Sequence, residues 1–344
     1  MSEYKINISY QQAWRGKDYC IQQIRGSPYE SFEMLPYYCY NLERKNEGTV
    51  TRIKTDEKGV FEMLFIALGA SIRTFVNYLR PLLIIDAAHL KGQYKGTNLI
   101  AVGMDGNNQI VPIAFGICKG ETGPCWSWKM SNLQRSIGDN PSLLFISDRH
   151  AAIALAVQNE FPLAYHVDIQ PDAYDKLCQL GPQRWSRAHC PLVRYNYLTS
   201  NSVESVNACT VVYMKLPVLK LAETYRAMVQ EWYYKRRKVA VGGKQSAKKM
   251  MKSAKWVVCG VTDHQYQVYD GRYNRQVDLQ TGTCQCRKWQ LSGLPCGHVI
   301  AVTRYLGLTD CVQYVSDWFK KPKYQGTYAE PIHFIGNVQE WEFP

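Results

Sequence analysis

The sequence predicts an α/β fold of the α+β kind: a mixed sheet flanked by helices, a helical N-terminal region, and a small metal-clamped module near the C-terminus. Three observations predict it. From about residue 80, apolar runs of strand length alternate with helix-patterned segments in the order β-β-β-α-β-α, which describes a mixed sheet covered by helices. Residues 9–46 carry helical patterning with start and stop signals. Short β patterning over 256–282 runs into three cysteines and one histidine in "CQCRKWQLSGLPCGH".

The elements follow in chain order. In "SYQQAW", Gln12 stands three residues after Ser9, a capping-box spacing, and Gly26 closes that helix. A second helix starts at "SPYE", with Ser27 as N-cap, Pro28 at the first helical position and Glu30 as reciprocal partner. "GTVTRIKTD" reads as a strand, and "PLLIIDAAH" as a buried strand ending in an acid. "NLIAVGMDGNNQIVPIAFGIC" reads as a strand pair around an Asp-Gly-Asn-Asn turn at 105–108. "GPCWSWKMSNLQRSI" is an aromatic-faced helix. "SLLFISD" is another buried strand ending in an acid, followed by the helical "RHAAIALAVQNEF". Helices are expected again near 202–215 and 217–237. Aromatics at helical spacing in "CWSW" and "EWYYKRR" favour core packing over base stacking.

Composition narrows the function classes. Hydrophobic residues make up 46% of 344, enough for a sizeable core. The net charge of +12 points to a polyanionic partner, most simply DNA. The opening "MSEYKINISYQQAW" has no apolar signal region, and runs such as "LLII" fall far short of the roughly 20 residues of a membrane helix. No membrane association is therefore expected. Cysteines in such a chain read as thiols or metal ligands. Among the scattered ones, Cys20, Cys39, Cys118, Cys125, Cys178, Cys190, Cys209 and Cys311 read as small buried apolar residues. Residues 235–255 hold nine Lys/Arg and no acid. This run serves as a solvated linker, as a nuclear-import or phosphate-contacting segment, or as both.

The Cys/His cluster carries the sharpest chemistry. Cys284 and Cys286 are two apart, so on a strand their sulfurs face one side. Cys296 and His298 bracket Gly297 at the head of the helical run "HVIAVTRYL", and a turn through Gly293 and Pro295 brings the pairs together. Three thiolates and an imidazole suit tetrahedral Zn²⁺, and four protein ligands leave no position for a reacting water. The alternative is three buried thiols and a helix-capping histidine. A small β-rich segment gains folding free energy from a metal, which favours the structural zinc site.

A second constellation is acidic. Asp86 and Asp148 each end an apolar strand, and Glu204 sits in "LTSNSVESVNACTVVYMK". Three carboxylates make an all-oxygen site suited to Mg²⁺ or Mn²⁺, and a pair of such ions clamps both oxygens of an in-line phosphoryl displacement. The competing reading makes Asp86 and Asp148 N-caps and Glu204 the partner of Asn201 in a capping box. Nearby, His89 reads as a packed or solvent-facing residue and Asp105 as a turn residue.

Together these stretches resemble the transposases of plant Mutator-like elements. "LLIIDAAHLKGQYKGTNLIAVGMDGNNQIVPIAFGI" is similar to the opening of that family's RNase H-like catalytic domain, "FISDRHAAI" to its second acidic motif and "RYNYLTSNSVESVN" to its third. "CQCRKWQLSGLPCGH" is similar to its SWIM zinc finger. The resemblance implies an acidic triad of Asp86, Asp148 and Glu204 and zinc ligands Cys284, Cys286, Cys296 and His298. It implies metal-dependent cutting and joining of DNA, or, in domesticated relatives, transcriptional regulation without transposition. The family's N-terminal zinc-bearing DNA-binding region has no counterpart here. After "FPLAYH" a strand with a Cys-x-x-His motif and a helical insertion are expected, but only 56 positions separate Asp148 from Glu204. His166 alone does not replace that pair.

The expected organisation is a mainly helical region over 1–80, an RNase H-like transposase domain over 81–234 shortened after 166, a basic linker over 235–256, a ββα SWIM-type module over 257–310 and a tail over 311–344. The expected function is that of a zinc-binding, transposase-derived nuclear protein. Lys235, Arg236, Arg237, Lys238, Lys248 and Lys249 would touch DNA phosphates. The SWIM module would offer a surface to protein partners.

Overall fold

A computed structural model describes residues 8–25, 27–91, 95–148, 150–168, 213–238 and 253–343. Helix α1 (Tyr10–Arg25) opens with the predicted reciprocal cap. The Ser9 N–H donates to Gln12 Oε1 at 2.8 Å, and the Gln12 N–H donates to Ser9 Oγ at 3.2 Å. The second helix divides into α2 (Pro28–Glu33) and α3 (Leu35–Lys45). Pro36 in the first turn of α3 has no N–H to continue the ladder, so the helix breaks at Met34. Ser27 is the N-cap of α2, but its side chain makes no capping bond.

Strands β1 (Val50–Thr55), β2 (Phe61–Ala67), β3 (Leu82–His89), β4 (Thr97–Met104), β5 (Ile110–Cys118), β6 (Leu144–Ser147) and β7 (Tyr165–Asp168) form one mixed sheet in the order β1-β2-β5-β4-β3-β6-β7. The pairs from β1 through β3 are antiparallel, while β3–β6 and β6–β7 are parallel. Helices α4 (Gly69–Tyr78), α5 (Gly123–Ile137), α6 (Ala151–Glu160) and α7 (Val218–Arg237) cover it. The strands, helices and 105–108 turn predicted from residue 80 to 160 form where expected. At that turn Asp105 Oδ1 accepts the N–H groups of Asn107 (2.8 Å) and Gln109 (2.7 Å), and Asn108 takes a φ of 61°.

Two additions enlarge the sheet. Residues 50–67, left by the sequence pattern outside it, form its β1–β2 edge. β7 pairs with β6 even though the chain departs from the resembled family's pattern just after it.

The two faces carry different helices. Phe115 of β5 stacks on Tyr225 of α7 with centroids 4.6 Å apart. Cys118, three residues on and therefore on the opposite face, neighbours Cys125 of α5. Trp126 and Tyr233 are fully buried, as expected of the two aromatic stretches, whereas Tyr234 beside the latter is exposed. Cys39, Cys118 and Cys125 are buried, but Cys20 lies on the exposed α1, and Cys311 is half-buried. Cys178, Cys190 and Cys209 lie outside the described residues.

A four-stranded antiparallel sheet, β11-β10-β9-β8, forms the second module from β8 (Val257–Gly260), β9 (Gln265–Tyr269), β10 (Asn274–Asp278) and β11 (Thr283–Cys284). Helices α8 (Lys288–Ser292) and α9 (Gly297–Tyr305) complete it, and Val268, Val277, Val299 and Val302 fill its small core.

Residues 311–343 are more than a tail. Helix α10 (Lys321–Thr327) lies against α4, where Thr74 Oγ1 donates to Thr327 O at 2.9 Å. Tyr324, Tyr328, Ile332, Ile335 and Trp341 join the main core. At roughly 1.5–3 kcal/mol for each large apolar side chain removed from water, this segment is integral to the larger domain.

Candidate metal centre and acidic pair

Cys284 ends β11 opposite Val277, and the chain then turns instead of extending. The Arg287 N–H donates back to Cys284 O at 2.8 Å, and Arg287 takes a left-handed φ of 58°. The predicted same-side strand geometry is therefore replaced by a tight turn that sets the Cys284 and Cys286 sulfurs 3.4 Å apart. Helix α8, which the sequence pattern missed, carries the chain away and stops at Gly293, φ 68°. Cys296 is the N-cap of α9, and His298 lies in its first turn.

The four ligand atoms converge. His298 Nδ1 lies 3.6 Å from Cys284 Sγ and 3.8 Å from Cys296 Sγ, and all four ligand atoms lie within 4.8 Å of one another. Metal–sulfur bonds of about 2.3 Å and metal–nitrogen bonds of about 2.0–2.1 Å give tetrahedral edges of about 3.5–3.8 Å, so these separations suit a zinc-sized ion. Cys284, Cys296 and His298 are buried, and Cys286 is half-buried. Cys284 and then Cys296 hydrogen-bond to the Cys286 sulfur and hold it well below the usual thiol range, favouring the thiolate that a metal takes. Behind the ring, His298 Nε2 meets Asp270 Oδ2 at 3.3 Å. Trp256 stacks on the imidazole at 4.8 Å and 30°.

The acids occupy the larger sheet. β3 and β6 run parallel with Leu82 opposite Leu144 and Ile84 opposite Ile146. Two positions further along each segment, beyond the last paired residues, stand Asp86 and Asp148. Asp86 is not at the end of its strand, because antiparallel pairing with β4 extends β3 to His89 opposite Thr97. It pairs with Ile100, which pairs with Phe115, so it belongs to the face covered by α7. Asp148 is the first residue past β6. It is exposed, and its Oδ1 accepts the His150 N–H at 3.3 Å. Glu204 lies outside the described residues. The chain re-enters description beside the end of β3, where the Lys91 N–H donates to Met214 O at 3.0 Å.

Two residues that the sequence did not single out bear on this site. The buried Ser147 hydroxyl donates to Asp148 O at 2.7 Å and meets His166 Nε2 of β7 at 2.8 Å, bracing the peptide that presents Asp148. Lys129 of α5 is fully buried, 5.0 Å from the Trp126 ring, with no hydrogen-bond partner for its ammonium among the described residues. Burial pushes that amine well below the usual lysine range. A lysine in a helix normally reads as solvent-facing, so no sequence signal marked it.

Residue chains 82–168 match the model of the MULE transposase domain, from the first residue of β3 to the last of β7. Residues 273–307 match the SWIM zinc finger and include all four clustered ligands. The chain carries a MULE transposase domain and a SWIM zinc finger. A search of the curated proteins finds no match to the chain.

The MULE domain thus contains Asp86 and Asp148, and the SWIM finger contains the Cys3His group. The basic candidates fall partly inside the protein's own packing. Arg236 donates to Ile110 O at 2.5 Å and to Tyr328 Oη at 3.2 Å, and Arg237 donates to Tyr328 O at 2.7 Å. Lys235 pairs with Glu231 at 2.5 Å, and Lys238 reaches Tyr234 Oη at 3.0 Å. Lys248 and Lys249 lie outside the described residues. No described helix is long and apolar enough to cross a membrane.

Proposed function

We propose that this zinc-binding, transposase-derived protein acts on DNA in the nucleus, with a catalytic acidic site in the MULE domain and a closed zinc site in the SWIM finger. The observation that supports the catalytic part is that Asp86 and Asp148 each follow by two residues the Ile84–Ile146 pair of the adjacent parallel strands β3 and β6. Their oxygens suit Mg²⁺ or Mn²⁺, and Glu204 would supply the third carboxylate. When bound, such ions supply charge neutralisation at the attacking and leaving oxygens of a phosphodiester. The chain's own part would be to bring two carboxylates to one metal pair, with the Ser147–His166 contact fixing the backbone at Asp148. Cys284, Cys286, Cys296 and Nδ1 of His298 would hold Zn²⁺ with every coordination position filled by protein, a structural role. Nicking of a terminal-repeat duplex with Mn²⁺ tests this reading, with Asp148→Asn as control. Activity in the parent and loss in the variant supports it, and equal activity in both removes it.

A second reading keeps the zinc finger and drops the chemistry, leaving a DNA- or protein-binding regulator. The observation favouring it is the short interval of 56 positions from Asp148 to Glu204. Angstrom-scale misplacement of the third acid would abolish catalysis while leaving binding intact. Metal-independent duplex binding without nicking is its signature.

A further inference from the structure

We propose that Asp270 is a fifth functional residue of the metal centre: a positioning carboxylate that aims His298 at the ion and ties metal occupancy to the β9–β10 hairpin. This rests on the zinc reading of the Cys3His group. It goes beyond the SWIM match, because that match starts at residue 273 and Asp270 precedes it.

A histidine that ligates through one ring nitrogen has the other free to donate, and the group receiving that N–H fixes ring orientation and tautomer. Here the division is resolved by geometry. Nδ1 faces the Cys284 and Cys296 sulfurs at 3.6 and 3.8 Å, and Nε2 faces Asp270 Oδ2 at 3.3 Å. A carboxylate at Nε2 stabilises the proton there, which leaves the Nδ1 lone pair for the metal and makes it a stronger donor.

Asp270 is itself held in place. Its other oxygen, Oδ1, accepts the N–H groups of Arg272 at 2.9 Å and Tyr273 at 2.8 Å, and its own N–H donates to Tyr273 O at 3.1 Å. Gly271, φ 91°, supplies the left-handed residue this turn requires. One oxygen thus builds the turn while the other holds the histidine. Trp256 completes the clamp by covering the ring. A Cβ at Gly297 would come within 2.7 Å of the Trp256 indole, so only glycine lets the α9 N-terminus approach that closely. Trp256 also precedes the matched SWIM residues.

The hairpin tip fixed by Asp270 carries an exposed basic-aromatic stack. The guanidinium carbons of Arg272 and Arg275 lie 5.1 and 4.7 Å from the Tyr273 ring centroid. Through the Asp270 turn, loss of the ion frees His298 and with it the anchor of this tip.

The test uses the full chain and Zn²⁺ alone, with affinity measured by competition against a chromophoric chelator. Asp270→Asn keeps the size but gives up the charge, and a 10- to 100-fold loss of affinity is expected. Asp263→Asn, an exposed acid of the same module, is expected to match the parent. If the parent itself takes up no zinc, the zinc reading fails. If the parent binds one ion and Asp270→Asn binds it equally well, the role given to Asp270 is overturned while the zinc reading stands. A second measurement covers a variant that does not fold: ¹⁵N-histidine NMR of the zinc-loaded parent. A metal-bound Nδ1 and a protonated, slowly exchanging Nε2 support the inference, and metal bound through Nε2 overturns it.

Discussion

Asp86 and Asp148 each stand two residues beyond the Ile84–Ile146 pair that joins the parallel strands β3 and β6, Asp86 within β3 and Asp148 just past the end of β6. On the shared-site reading a divalent cation would bind between the two carboxylates and relieve the repulsion expected of two ionised acids sharing a site. We therefore expect millimolar Mn²⁺ to raise the melting temperature of the parent by several degrees. Asp86→Asn should be more stable than the parent without metal and should gain little from Mn²⁺. Thermal scans with and without the ion check this, and an equal response of both proteins would remove the shared site.

Chelation of the SWIM ion should unfold a part of the chain and leave the rest. The module's core is nine residues, four valines with Tyr266, Trp289, Ala301 and the ligands Cys284 and Cys296, a small core that gains folding free energy from a bound ion. Hydrogen exchange should rise across residues 257–305 after chelator treatment, while β2 to β5 stay protected. Cys296→Ser should reproduce the effect without chelator. Uniform protection in both states would contradict a structural metal.

Lys129 should be a liability for stability. Its ammonium is buried beneath the sheet with no hydrogen-bond partner among the described residues. A buried polar group left without a hydrogen bond costs about 1–3 kcal/mol, so Lys129→Met should raise the denaturation midpoint at neutral pH. The pH dependence has a definite sign. The folded-state pKa lies well below the unfolded value, so between the two the unfolded chain binds more protons and stability rises with pH. That rise on the alkaline side, toward the ordinary lysine range, should flatten in Lys129→Met. An unchanged slope would show that this amine is not the titrating group.

Arg236 and Arg237 should behave as structural residues. Their guanidinium groups serve carbonyl oxygens of Ile110, Tyr328 and Glu330, so they join α7 to the sheet and to the C-terminal segment. Arg236→Ala is expected to cost about 1.5–3 kcal/mol of stability, the range for hydrogen bonds to charged groups. The salt dependence of DNA binding should change by less than the slope of nearly one that a lost phosphate contact gives. An intact stability with a full unit of lost salt slope would return Arg236 to the DNA interface.

Much of this was readable in the sequence because it depends on local chemistry. The Ser9–Gln12 cap, the Asp105 turn, the strand–helix order from residue 80 to 160 and the spacing of Cys284, Cys286, Cys296 and His298 each involve residues a few positions apart. Short-range periodicity, turn chemistry and ligand spacing report such features directly. The same locality misled in places. Cys284 and Cys286 looked like strand neighbours until Arg287 was seen to turn left-handed.

What only the tertiary structure decided are relations between distant positions. Placing Asp86 beside Asp148 required the β3–β6 pairing. Placing Asp270 behind His298 required a hairpin turn to meet a helix N-terminus 28 residues away. The C-terminal segment became core because Tyr328 and Trp341 found their partners near α3, α4 and α7, and Lys129 became buried because α5 lies flat on the sheet. Such contacts are selected by the free energy of burying whole elements against each other, which no single stretch of sequence contains. The chemistry was written locally, in three sulfurs, an imidazole and two acids. Their arrangement into sites followed from packing.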